Sequence, residues 1–251
     1  MKRMQDIRAV LLGLFMFFLL WQAAAWVLET PIVPFPAEVV PLFAASLFGD
    51  LAPHFLASAG RVLAAIALAV LTAVPAGLAL GQFRGLNRVF SPLIAILYPI
   101  PKIVFLPVIF LLMGITDISK IVLIALILFF QILVMVRDEA AGIPDELLLS
   151  VRSLGAGRRA LFRFVYLPAS LPAVLTALRV SVGIAVAVLF IAEQSLTTHG
   201  LGYYIVVETY QVLLYKEMYC GILGMSLLGL ALYFLINGIE RRFTRYRSLE
   251  A

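Results

Sequence analysis

The sequence predicts an all-α integral membrane protein with about six transmembrane helices, on three observations. Of its 251 residues, 63% are hydrophobic and only 13% charged, where soluble domains carry about 25% charged residues. The apolar residues come in blocks of about 20, the length of a helix that crosses a bilayer. Lys and Arg, which leave a net charge of +5, fall between those blocks and at both ends. That is a loop pattern and speaks against a nucleic-acid-binding face.

The first predicted span is Ala9–Leu28. Lys2, Arg3 and Arg8 before it and Ala23-Ala24-Ala25 near its end imitate a signal peptide, but its length favours a retained helix. The second, Phe55–Leu80, follows a stretch containing Pro31, Pro34, Pro36, Pro41 and Pro53. Within it Gly77 and Gly81 have the spacing of close helix packing. The third, Ser91–Met113, is interrupted by Pro99, Pro101 and Pro107. The fourth is Ile118–Val136, the fifth Leu171–Ala192 and the sixth Glu217–Ile239. No internal repeat or low-complexity linker divides residues 1–251, so a single membrane domain is expected.

Basic residues set the expected orientation. With both termini cytoplasmic, the inner segments hold Lys2, Arg3, Arg8, Arg84, Arg88, Arg137, Arg152, Arg158, Arg159, Arg163, Arg241, Arg242, Arg245 and Arg247. The outer side holds Arg61, Lys120 and Lys216, a bias of fourteen against three. The longest inner segment, 137–168, carries two helical patterns. Leu147, Leu148, Val151 and Leu154 form the first, and Leu161, Phe162, Val165 and Tyr166 form the second after Gly155-Ala156-Gly157. Two short amphipathic helices follow, either docking on a partner or resting on the membrane surface.

Covalent chemistry has no visible home. There is no G-x-x-x-x-G-K-[ST] loop, so the chain has no ATPase site of that kind, and no H-E-x-x-H, G-x-S-x-G or cysteine pair. Cys220 reads as a small apolar residue. His54 and His199 stand far apart in sequence without a ligand cluster, so no metal site is expected. The charges inside spans leave two roles open. Arg179, about eleven residues into the fifth span, fits either an anion-attracting pathway group or a structural pair with a carboxylate. Lys102 fits either the pathway or a snorkelling side chain. Helix breaks at membrane depth survive only beside protein or a watery cavity, which makes Pro99, Pro101 and Lys102 the preferred pathway segment. Glu193 and Glu208, at the outer end of the fifth span, suit gating, partner contact or a solvated loop.

From Gly155, nine residues lead to Val165-Tyr166-Leu167-Pro168. This reproduces the second half of E-A-A-x3-G-x9-I-x-L-P, a cytoplasmic pattern of permease subunits of bacterial ATP-binding-cassette importers. The first half departs, with Leu149-Ser150-Val151 where the pattern has E-A-A. Glu139-Ala140-Ala141 is a decoy, because Asp145 then stands where glycine is required. The chain from about Ala52 to Tyr246 resembles the branch that imports nitrate, taurine, aliphatic sulfonates and thiamine precursors. Tyr98-Pro99-Ile100-Pro101-Lys102, Leu106-Pro107, Gly114-Ile115, Ser119-Lys120, Ser153-Leu154-Gly155-Ala156, Leu178-Arg179, Ala192-Glu193 and Gly200-Leu201-Gly202 carry the likeness.

The resemblance implies a type I ABC importer permease fold in a bacterial or archaeal plasma membrane. It also implies a second permease copy as a homodimer, two cytoplasmic ATPase subunits binding ATP and Mg, and an extracytoplasmic binding protein. Leu147, Leu148, Val151, Arg152, Leu154, Gly155, Ala156, Leu167 and Pro168 would couple to the ATPase. Pro99, Pro101, Lys102, Arg179 and Glu193 would line a pathway for a small anion. A secondary transporter or channel working alone is the rival. It would need an intramembrane acidic site for its coupling ion, and the acidic residues fall at span ends or outside them.

Overall fold

A computed structural model describes residues 2–194 and 197–243, without the side chains of residues 2–11 and Arg158. Arg245, Arg247 and Tyr246 lie outside the described residues. Those residues are helical with short connections: α1 (Lys2–Leu28), α2 (Pro36–Ser46), α3 (Leu51–Gln82), α4 (Arg84–Leu97), a 3-10 turn (Lys102–Phe105), α5 (Leu106–Met113), α6 (Asp117–Ala141), α7 (Asp145–Ser153) and α8 (Arg158–Leu161). A π turn (Phe162–Tyr166) leads into α9 (Leu167–Glu193). There follow α10 (Leu201–Tyr203), a second π turn (Tyr204–Tyr210) and α11 (Tyr215–Phe243).

Four helical stretches have the length and apolarity to cross a membrane: 51–82, 117–141, 159–193 and 215–243. The pair 84–97 and 102–113, bent by 84°, makes a fifth. Each coincides with a predicted span, and α1 covers the remaining one. In α1 the apolar run Leu12–Leu28 is shorter than those four stretches, and Ala23–Ala25 sit inside the helix. Pro101 ends the interruption between α4 and the 3-10 turn. Its φ of −66° and ψ of 104° are non-helical, and proline removes a helix donor.

The chain packs as two compact units, residues 1–57 with 198–226 and residues 58–197 with 227–251. In the first, Trp21, Val39 and Cys220 form a core. Trp21 donates its indole N–H to the Pro34 carbonyl at 3.0 Å and stacks on Tyr219 at 5.3 Å. Cys220 is fully buried there, as a small apolar residue would be.

In the second unit α6 and α9 pack along their lengths. The inward positions of α9, Val174, Leu178, Val182, Ala185, Leu189 and Ala192, recur every three or four residues, as one helix face requires. In α3 the buried positions Val62, Ala65, Ala69 and Ala73 are mostly alanine. Small residues let helix backbones approach. The approach is closest at the predicted glycine pair. A Cβ at Gly77 would stand 2.9 Å from the Val136 Cβ, and one at Gly81 would stand 2.5 Å from the Ala140 Cβ.

One expectation changes here. The second short amphipathic helix is not separate, because α8 runs through the π turn into α9 as one stretch from 159 to 193. Leu167 donates its N–H to Phe162, five residues back, and Pro168 follows with no N–H to give. The wider turn shifts the bonding register where proline would otherwise interrupt it. Leu161, Val165 and Tyr166 are buried, as their spacing predicts, while Phe162 is 37% exposed.

Candidate functional site

Three places in the second unit gather the predicted residues. The first is the break in the third span. Its backbone turns at Tyr98–Pro101, and a cavity of about 340 Å³ opens beside it, lined by Pro99, Pro101, Lys102, Phe130 and Gln131 among others. Lys102 Nζ donates to the Tyr98 carbonyl, an acceptor left over at the end of α4. The ammonium also stands 4.7 Å from the Phe130 ring centre and 5.4 Å from that of Tyr98, within cation–π range. No carboxylate pairs with Lys102 among the described residues.

The second place is the end of the unit where α6 begins and α9 finishes. Glu193, expected at a solvated or gating position, is completely buried. It accepts 2.8 Å bonds from the Ser58 hydroxyl and a 2.6 Å bond from Arg61. Arg61 also reaches Asp117, with Nη2 at 2.7 Å and Nε at 2.9 Å. Lys120, 1% exposed, donates to the Thr197 hydroxyl at 2.9 Å. Asp117 lies in the first turn of α6, whose N-terminus is fixed by reciprocal Thr116–Ser119 capping. Sequence reading placed Arg61 on the outer side and missed this network. The available signal was its position, well inside the predicted Phe55–Leu80 span.

Arg179 belongs to neither place. Its Nε lies 3.3 Å from Glu240 Oε2, and Thr176 donates to Glu240 Oε1 at 2.9 Å. Of the two roles open to Arg179, the structure shows the carboxylate pair.

The third place is α7. It ends in a Schellman motif: Gly155 has φ +84°, its N–H bonds the Arg152 carbonyl at 2.9 Å, and the Ala156 N–H reaches the Val151 carbonyl at 3.4 Å. The left-handed conformation is why glycine stands there. Its apolar residues do not share one buried face. Leu148 is buried, whereas Leu147, Leu149 and Leu154 are 48%, 62% and 87% exposed. Arg152 is exposed too, while Val151 and Ala156 are partly buried. An exposed Arg84–Asp145 pair at 3.3 Å is the ionic link from α7 to α4.

In the first unit the fold brings His54 and His199 edge to face at 5.7 Å. His54 also lies 3.3 Å from Glu208 and accepts from the Gly200 N–H at 3.2 Å. Burial pushes the neighbouring Tyr204 phenol up to about 12, so it stays a neutral group. Among the described residues no group of three His, Cys, Asp or Glu could hold a metal ion.

Four helices long and apolar enough to cross a membrane, with a fifth span broken beside a cavity, fit a multi-pass membrane protein. The chain belongs to the family of binding-protein-dependent transport system inner membrane components, which matches residues 65–245. It is 30% identical over 195 residues to the taurine transport system permease protein of Escherichia coli, covering 78% of this chain and 70% of that one. It is 27% identical to a putative aliphatic sulfonates transport permease of Bacillus subtilis, over 91% and 84% of the two chains. It is likewise 27% identical to the formylaminopyrimidine transport permease of Halalkalibacterium halodurans, over 81% and 82%. Its fold matches that of an inward-facing MetNI methionine ABC transporter with a TM-score of 0.62 at 20% identity, over 77% of this chain and 96% of that one. The fold is that of an ABC importer permease in the inner membrane.

Proposed function

We propose that this chain is the pathway-forming subunit of an ATP-driven importer for a small anionic solute such as nitrate, a sulfonate or a thiamine precursor. Two copies form one pathway, two cytoplasmic ATPase subunits bind ATP and Mg, and an extracytoplasmic binding protein delivers the solute. Both termini are cytoplasmic, which puts α7 and its basic neighbours on the ATPase side. The relative named for aliphatic sulfonates supports an anionic solute, while those named for taurine, a zwitterion, and for a pyrimidine support a small polar solute.

One observation carries the coupling role. The helix α7 presents Leu147 and Leu149 outward, as does its C-cap Leu154, and is set at a fixed angle by the turn at Gly155 and Ala156. A short amphipathic helix of this kind fits a groove on a soluble partner. Leu148 anchors it from within, Val151 and Arg152 supply the capped carbonyls, and Leu167 and Pro168 transmit its movement into α9. Closure of the ATPase pair then tilts α9, and the pathway alternates between outward and inward access. The solute crosses without covalent change.

Reconstitution in proteoliposomes tests this reading. The chain alone hydrolyses no ATP; with its ATPase and binding-protein partners, hydrolysis rises when the binding protein is loaded and solute accumulates. Turnover by the isolated chain, or solute movement without the ATPase, contradicts it.

A further inference from the structure

Lys102 differs from the other buried or half-buried cations in what satisfies it. Arg61 has two carboxylates, Arg179 has Glu240, and Lys120 has Thr197 and, at 3.9 Å, Asp117. Lys102 has a carbonyl and two aromatic faces. Those contacts orient an ammonium but leave its charge uncompensated, and an uncompensated cation at membrane depth attracts an anion.

Across the cavity stands Gln131, whose side-chain amide meets the Ser181 hydroxyl; that hydroxyl also donates to the Ala177 carbonyl, and either orientation of the amide leaves it an N–H to give. No Asp or Glu lines the cavity, and Ile103, Ile127, Ile184 and Val188 supply most of the remaining wall. At about 340 Å³ it lies at the small end of ligand pockets.

We infer that this cavity is a subsite for a small organic monoanion, its sulfonate or carboxylate head held by Lys102 and Gln131 and its short carbon body by the isoleucine wall. An ammonium on the same ligand would find no carboxylate and would lose its water, so the subsite disfavours cations and zwitterions. This deepens the importer reading and rests on it for its role in transport, but it can be tested without ATPase or binding protein.

The experiment uses the purified chain in lipid nanodiscs, in a Cys220→Ala background with Ile184→Cys as reporter on the cavity wall. Ile184 is 40% exposed. Labelling rates are measured with sulfonatoethyl, trimethylammonioethyl and neutral hydroxyethyl methanethiosulfonates, each normalised to its rate with a free thiol. The sulfonate reagent is expected to react faster than the cationic one. Lys102→Met lowers that ratio by about tenfold or more, the effect of one charge-assisted contact, while Lys102→Arg keeps it within about threefold because the charge remains. Millimolar ethanesulfonate slows labelling in the parent, and equal taurine does so less.

The neutral reagent separates structure from charge. If Lys102→Met changes all three rates together, the ratio is unmoved and the anchor is refuted. An unselective parent refutes it too, as does a reporter that no reagent reaches. These outcomes leave the importer reading standing, which the proteoliposome experiment tests separately.

Discussion

Of the places that bring charge into the apolar spans, two are built oppositely. At the Glu193 end, cations and carboxylates meet one another: Arg61 holds Glu193 and Asp117, and the Ser58 hydroxyl completes the Glu193 carboxylate. At the break in the third span, Lys102 meets a carbonyl and aromatic rings beside an open cavity. The first arrangement is saturated and joins three helices, α3, α6 and α9, so its effect is to fix their ends. The second leaves a positive charge with room in front of it. A charge in an apolar span is therefore read by its partners as well as by its depth.

The comparison breaks most directly at Glu193. Glu193→Ala takes the buried carboxylate away from Arg61, and removing one member of a buried pair costs about 3–5 kcal/mol. Thermal unfolding in detergent should show that loss, and Arg61→Leu with Glu193→Leu should recover most of it. Unchanged stability in the single variant would mean that the network is not a clamp.

A smaller effect sharpens the scaffold side. Gly81→Val would push a side chain against the Ala140 Cβ and the Arg137 carbonyl, 2.5 and 2.8 Å from the first added carbon. Overpacking of this sort costs about 1–3 kcal/mol. Gly85, with open space around its Cβ position, is the control: Gly85→Ala should stay within about 0.5 kcal/mol. Equal losses at both glycines would remove the close α3–α6 contact from the account.

The spans were legible because length and apolarity are imposed by the bilayer, and a break was legible because three prolines cannot all continue a helix. Gly155 was legible for a related reason. A glycine just past a helical pattern signals a left-handed turn, and the structure has φ +84° there. Side-chain partners were not legible. Arg61 and Glu193 are 132 residues apart, and nothing in the periodicity of either helix points to the other. Arg179 shows the same limit, since both of its roles fitted the sequence until Glu240 was found beside it. Gln131 went unread although a polar amide inside the Ile118–Val136 run was a usable signal. The continuity of α8 with α9 was hidden because a π turn has no sequence signature as plain as glycine or proline.

The smallest structural change carries the most direct test of how α7 acts. Gly155→Val leaves the spans untouched and meets no neighbouring atom, so its cost is the positive φ, about 1–2 kcal/mol, confined to the turn that aims α7. In proteoliposomes with the ATPase and binding protein, ATP hydrolysis and solute uptake are measured together, with and without loaded binding protein. The account predicts a variant that still assembles with its partner subunits but whose hydrolysis no longer rises with loaded binding protein, and whose uptake falls about tenfold or more, in line with the misplacement of a coupling element. Normal coupling in Gly155→Val would show that α7 does not set the link, and would return it to a helix lying at the membrane surface.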